Sequence, residues 1–282
     1  MRQHETTLSG NELRLNFDMF ADRVDNEIQN HLISELMARY ADVSKKLEEN
    51  NEQLKRYSEH LEELVEEKVK EISASQMATI HALVRAAESR DDDTGTHIER
   101  TSLFCKLIAE ELYEAGLYPN IVDETYAEHI SKASPLHDIG KIGIKDAILL
   151  KPARLTPDEL TVMKTHVDIG QETLASAQSM YPSNEFLKIG MEISKYHHEK
   201  WDGSGYMLGL AGEDIPLSAR IMALSDVYDA LRSRRVYKEP FSHEKAFAII
   251  VEGRGTHFDP VLVDLFLAHQ SVFEEIFGQL SG

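Results

Sequence analysis

Residues 43–90 contain neither proline nor glycine, and no other feature of this chain restricts its folding more. Within them, YADVSKKLEENNEQLKRYSEHLEELVEEKVKEIS places Leu47, Leu54 and Leu61 seven residues apart. After a register shift, Leu64 or Val65, Val69 and Ile72 continue the seam, and charged residues fill the other positions. Apolar residues every three and four positions among charges are the pattern of a short coiled coil. Asn50 and Asn51 fall near the seam and would set its register. The other reading is a single solvated helix laced with charge pairs. The seam needs a partner face, and nothing else in this region offers one, so a parallel homodimer is expected. Upstream, Phe17, Phe20, Val24, Ile28, Leu32 and Leu36 carry helical spacing from about residue 13 to 40. The division expected is therefore a helical N-terminal region over 1–75, with its coiled coil at about 43–75, and a second domain over 76–282.

The second domain reads as helix after helix. Thr96-x-x-Glu99 and Thr156-Pro157-Asp158-Glu159 have the form of capping boxes, and Ser242 and Asp259-Pro260 open two more helices. Strand signals are nearly absent, so the fold class expected is all-α, a helical bundle preceded by a long helix. No apolar run approaches the ~20 residues needed to span a bilayer, and the N-terminus lacks the basic-then-apolar pattern of a secretion signal. Cys105 is the one cysteine. It excludes an intrachain disulfide, fits a reducing cytoplasm and, lying in LFCKLIAEEL, reads as core packing. A formal net charge of −19 disfavours binding to nucleic-acid polymers but suits a site that collects metal ions.

Several of the 13 histidines stand at turns and helix ends beside acids. His97 follows Thr96, with Asp93 four residues before it. His137-Asp138 closes a helical stretch ahead of IGKIGI. His166 falls in the helix opened by Pro157, His197-His198 opens HHEKWDGSGYM, and Asp226 sits in the apolar helix ARIMALSDVYDALRS. Each alone reads equally as a hydrogen-bonded core or surface residue. Together they form the donor set that first-row divalent metals prefer. Neighbours on a regular helix diverge by ~100°, so adjacent ligands suit adjacent metals, or a bridging acid beside a terminal histidine.

The ordered series HDIGKIGI, HHEKWDGSGY, DVYDALRSRRVYK and GTHFDP resembles the HD-GYP family of the HD phosphohydrolase superfamily, from about residue 76 to the C-terminus. Met207 stands where that family carries the proline of its name, which would loosen the loop and restore a backbone N–H. The resemblance implies a helical domain, two or three divalent metal ions of iron or manganese type, and hydrolysis of cyclic di-GMP to linear pGpG or GMP in bacterial signalling. It implies metal ligands at His137, Asp138, His166, His197, His198 and Asp226, with Asp138 bridging, and at Asp93 and His97 for a further ion. Lys141 matches the lysine beside the scissile phosphate. Arg235 and Lys238 match phosphate-binding cations, and Arg100 is a candidate for another. Tyr206 is a candidate to contact substrate, by stacking on guanine or by packing the domain, and Trp201 has the same two readings. His257 in GTHFDP reads as a cap or turn residue. His4, His31, His60, His81, His129, His243 and His269 read as structural. A diguanylate cyclase (GGDEF) partner belongs to the same expectation. Two rival readings stay open: a degenerate receptor or scaffold that binds a cyclic dinucleotide without cleaving it, and a hydrolase of another cyclic dinucleotide.

Overall fold

The computed structural model describes residues 10–88, 96–234 and 239–280, and all its extended elements are helices; among the described residues the one bridge outside them joins Arg254 and Phe258. Helix α1 runs Gly10–Glu88, α2 Thr96–Glu114, α3 Tyr126–Ala133, α4 Asp146–Leu149, α5 Pro157–Lys164, α6 His166–Met180, α7 Glu185–Tyr196, α8 Leu217–Arg232, α9 His243–Glu252, α10 Pro260–Ala268 and α11 Gln270–Gln279. The chain divides into two compact units at Ala74 and Ser75. No described helix is long and apolar enough to cross a membrane.

In the first unit the uninterrupted helix follows from the missing Pro and Gly. Ion pairs one turn apart support it, such as Asp42 with Lys46 at 2.7 Å and Glu66 with Lys70 at 2.6 Å. Such exposed pairs contribute only about 0.3–0.5 kcal/mol each. Leu47, Leu54, Leu61, Val65, Val69 and Ile72 are all exposed, so among the described residues their apolar seam is uncovered.

The second unit is built around α8. Every residue from Leu217 to Ser225 is buried, which is what a helix apolar on all sides must find. Around it, α2, α3, α7 and α9–α11 supply an aromatic core in which Phe104, Tyr228, Phe266 and Phe273 pack with ring centroids 4.7–5.6 Å apart. Cys105 is fully buried in this core against Met222, and burial pushes its thiol up to about 12, which rules out a nucleophile at neutral pH. A smaller apolar cluster joins Val84 at the end of α1 to Ile98, Leu136 and Leu174.

The expected caps form at Thr156, where the box with Glu159 closes in both directions, at Ser242, and at Asp259. Glu99 carries an ion pair to Arg85 at 2.6 Å. The helix opened by Pro157 stops at Lys164, earlier than the sequence suggested; Thr165 caps it and His166 begins a new helix.

Asp259 does more than cap. One of its oxygens accepts from the Val261 amide at 2.8 Å, and the other pairs with the Arg220 guanidinium and Tyr118. Arg220 in turn donates to the Ile215 carbonyl and lies over the Tyr118 and Trp201 rings. The GTHFDP turn thereby ties to α8, and its carbonyls at Thr256 and His257 accept from the amides of Asp202 and Trp201. Removing one partner of a buried ion pair leaves the other charge uncompensated, at a cost of about 3–5 kcal/mol. Asp259→Ala is therefore expected to lower unfolding stability by about that amount, read from the urea midpoint of the full chain; a shift below about 0.5 kcal/mol would show that the pair does not hold the turn.

Candidate metal centre

Five segments bring the histidines and acids together. His97 comes from the first turn of α2. His137 and Asp138 lie between two short 3₁₀ turns, Ser134–Leu136 and Ile139–Gly143. His166 is the first residue of α6, His197 and His198 follow the last residue of α7, and Asp226 projects from α8. Gly140 lets the second 3₁₀ turn reach α6: a Cβ there would stand 1.8 Å from the His166 carbonyl oxygen. Any side chain at 140 would push Asp138 and Lys141 away from His166.

These side chains form two groups. His97, His137 and Asp226 make one; Asp138, His166, His197 and His198 make the other, with the donor atoms of each group within 4.8 Å of one another. Asp138 faces both. Its Oδ2 lies 3.3 Å from Nε2 of His137, and its Oδ1 lies 3.2 Å from Nε2 of His166 and 3.8 Å from Nε2 of His197. One carboxylate with an oxygen toward each of two donor groups is the arrangement of a bridging ligand.

The opposite nitrogen of each anchored ring is held by the protein. Nδ1 of His137 donates to the Ser134 carbonyl at 2.9 Å, that of His166 to Met163 at 2.8 Å, and that of His197 to Ile193 at 2.9 Å. Nδ1 of His97 donates to the Asp229 carboxylate at 2.8 Å. A proton fixed on Nδ1 leaves the Nε2 lone pair for a metal. The buried Nε2 atoms of His166 and His197 and Oδ1 of Asp138 form no hydrogen bond, an expensive state for buried polar atoms. Burial lowers the His197 pKa to about 3 and holds that of His198 well below its ordinary value, with the neighbouring imidazole adding to the effect. Burial works to raise the Asp138 carboxyl, but Lys141, 2.8 Å away, and the His137 ring outweigh it and hold it well below the usual carboxylate range. Neutral imidazoles around an ionised carboxylate are the protonation states that divalent cations require. The donor set fits such ions.

The grouping of these donors is more specific than the residues alone suggested. His197 and His198 stand in one donor group rather than serving neighbouring metals. The helix has ended at Tyr196, so the helical 100° divergence no longer separates them, and their ring centroids lie 4.0 Å apart. His97, expected with Asp93 at a further ion, stands among the described residues with His137 and Asp226. Asp93, Arg235 and Lys238 lie outside the described residues. Arg100 is not available as a phosphate cation. It is 3% exposed, and its guanidinium donates to both oxygens of Asp229 and to Thr96 and Ser233. Arg100 and His97 together overcome the effect of burial and hold Asp229 below its ordinary pKa, so that a charged Asp229 orients His97.

Beside the metal centre opens a cleft of about 610 Å³, lined by Lys164, His198, Lys200, Tyr206, Asp226 and His257 among others. The Tyr206 ring stacks on His198 with centroids 4.8 Å apart, and its amide donates to the His198 carbonyl. Burial, with the Asp138 and Asp226 charges, raises the Tyr206 phenol above its usual range, so it stays a donor. Trp201 packs near Arg220, in the structural role. The Tyr206–Met207 peptide is cis, and Met207 is half-exposed and supplies no donor to the centre.

Glu199 and Asp229 were not singled out from the sequence. Glu199 is 2% exposed, and its Oε1 accepts from the amides of Leu208 at 2.7 Å and Gly209 at 3.2 Å. Gly205 permits this fold-back, since a Cβ there would meet the Glu199 and Lys200 backbone at 2.5 Å. Asp229 was legible in principle: it lies one helical turn after Asp226, on the same side of α8. Glu199 had only its place next to His198. A charge-assisted hydrogen bond contributes about 1.5–3 kcal/mol. Glu199→Ala should therefore speed hydrogen exchange of the Leu208 and Gly209 amides about 10- to 100-fold, while Glu199→Gln keeps most of the protection. Unchanged exchange in the alanine variant would remove Glu199 as the brace of this loop.

Residues 108–262, more than half of the chain, match the HD domain family. A Vibrio cholerae protein named cyclic di-GMP phosphodiesterase is 52% identical over 206 residues, covering 73% of this chain and 42% of that protein. Another from the same organism, named probable cyclic di-GMP phosphodiesterase, is 49% identical over 220 residues, 78% of this chain and 50% of that one. The cyclic di-GMP phosphodiesterase response regulator RpfG of Xanthomonas campestris is 42% identical over 247 residues, 88% of this chain and 62% of its own length. The chain thus spans about half the length of the curated relatives it matches. The chain belongs to the HD domain family.

Proposed function

We propose that the chain is a metal-dependent phosphodiesterase of HD-GYP type, which hydrolyses cyclic di-GMP to linear pGpG, to GMP, or to both. The observation that carries this reading is the Asp138 carboxylate, aimed with one oxygen at each of two histidine-rich donor groups. The names of its relatives support the choice of substrate. Iron or manganese are the ions assigned, two among the described donors and a third if Asp93 completes a further site. When bound, such ions acidify the attacking water and supply Lewis acidity to the phosphoryl oxygens.

The protein groups have separate tasks. Lys141, beside Asp138, gives a proton or hydrogen bond to the departing ribose 3′ oxygen. The neutral Tyr206 phenol donates to a phosphoryl oxygen. Its ring is engaged with His198, which favours this role over stacking on guanine. Arg235 and Lys238 hold the phosphate that is not being cleaved and so orient the ring. Arg100 acts through Asp229 on His97, as a positioning residue. The whole belongs to cytoplasmic second-messenger signalling, with a diguanylate cyclase as the macromolecular partner assigned.

The double variant His137→Ala, Asp138→Ala tests the chemistry. It should lose most bound metal and at least about 10³-fold in turnover of cyclic di-GMP, since it removes a ligand from one group and the acid shared by both. Wild-type turnover in that variant would sink the scheme. For the N-terminal region we infer a parallel two-stranded coiled coil over about 43–75, because its apolar seam is otherwise exposed. Light scattering should give about twice the 32.0 kDa chain mass for the wild type, and the single-chain mass for Leu54→Glu, Leu61→Glu. A monomeric wild type at micromolar concentration would refute the dimer.

A further inference from the structure

Two cations of the cleft, Lys164 outside the quoted motifs and Lys200 within HHEKWDGSGYM, form no ion pair with a carboxylate among the described residues. Lys164 ends α5, two residues before His166, and its ammonium stands 4.4 Å from the centre of the Tyr206 ring. Lys200 follows Glu199 and lines the same cleft. Both are half-buried. Elsewhere in this unit Lys106, Lys132, Lys151, Lys188 and Lys195 each form an ion pair with a carboxylate. Among the described residues neither forms an ion pair with a carboxylate, although the chain carries a net charge of −19; the charge of Lys200 reaches the exposed Asp202, two residues on, and Lys164 has no such neighbour. An ammonium partly withdrawn from water without a counter-ion is a cost unless a ligand supplies the anion.

The surroundings specify that anion. Lys164 is seated on Tyr206, and Tyr206 is fixed by its stacking on His198, by the hydrogen bond from its amide to the His198 carbonyl and by the Glu199 brace on the Leu208 and Gly209 amides further along the loop. The cation is thus located by the same loop that flanks the metal centre, at a defined place in the cleft. A cyclic dinucleotide carries two phosphodiesters, and only one can be cleaved at a time. Resting on the reading of this cleft as a cyclic dinucleotide site, we propose that Lys164 and Lys200 form a subsite for the phosphodiester that is not being cleaved. They supplement Arg235 and Lys238, and they make the GYM loop a determinant of substrate affinity through the lysine it carries.

The test compares two substrates on the full, metal-loaded chain: cyclic di-GMP, and bis(p-nitrophenyl) phosphate, which has one phosphodiester and nothing for a second subsite. Lys164→Met keeps the apolar stem over Tyr206 and removes the charge; Lys200→Met does the same at its position, and Lys164→Arg keeps a cation. Each methionine variant should raise KM for cyclic di-GMP about tenfold more than KM for the small diester, with metal per chain unchanged, and Lys164→Arg should recover most of the loss. Equal changes on the two substrates, or none on either, would overturn the subsite while leaving the hydrolase reading intact. A wild type that cleaves the small diester but not cyclic di-GMP would overturn the substrate reading, and the subsite with it.

Discussion

The centre depends on one buried negative charge. Asp138 has to remain ionised inside protein, where burial opposes ionisation, and it does so because other groups converge on it, the Lys141 ammonium at 2.8 Å first among them. The convergence is a packing result. Gly140 lets a 3₁₀ turn press against the first turn of α6, α7 stops one residue before its two histidines, and α8 brings Asp226 in from the other side. Each of these elements is ordinary alone. Their joint geometry is set by the aromatic core behind α8, which lies away from the chemistry and tolerates no slack.

Much of this was legible in the residues. The helical class followed from caps and periodicity, and the structure places His137, Asp138, His166, His197, His198, Asp226 and His97 in one centre. What sequence could not supply was grouping. The rule that neighbours diverge by ~100° holds within a helix, and it assigned His197 and His198 to different ions only because the end of α7 was not located. Likewise Arg100 looked like a phosphate cation because its partner, Asp229, lies 129 residues away. Long-range pairing of a buried arginine with a buried acid leaves no local signature. Lys164 had none either: a lysine at a helix end is commonplace until the ring beneath it is known.

Met207 gains a different meaning in this setting. Loss of the proline at that position was expected to slacken the loop. The amides that follow it are instead tied to Glu199, and Gly205 lies flat against the backbone of the same acid. The loop's order comes from the HHE tripeptide on which it folds, so residue 207 is relieved of much of that duty.

The carbonyl anchors on the histidines carry a last consequence. Ser134, Met163 and Ile193 fix the tautomer and ring plane of three ligands through main-chain atoms, which no side-chain substitution can delete. The cage is therefore set before any ion arrives, and loading requires little rearrangement. Donors already held in place favour an ion whose size and geometry match the distances set for it. The selection is thereby written into the path of the main chain rather than into the side chains around the cage, and changing it would mean moving a turn and not replacing a residue.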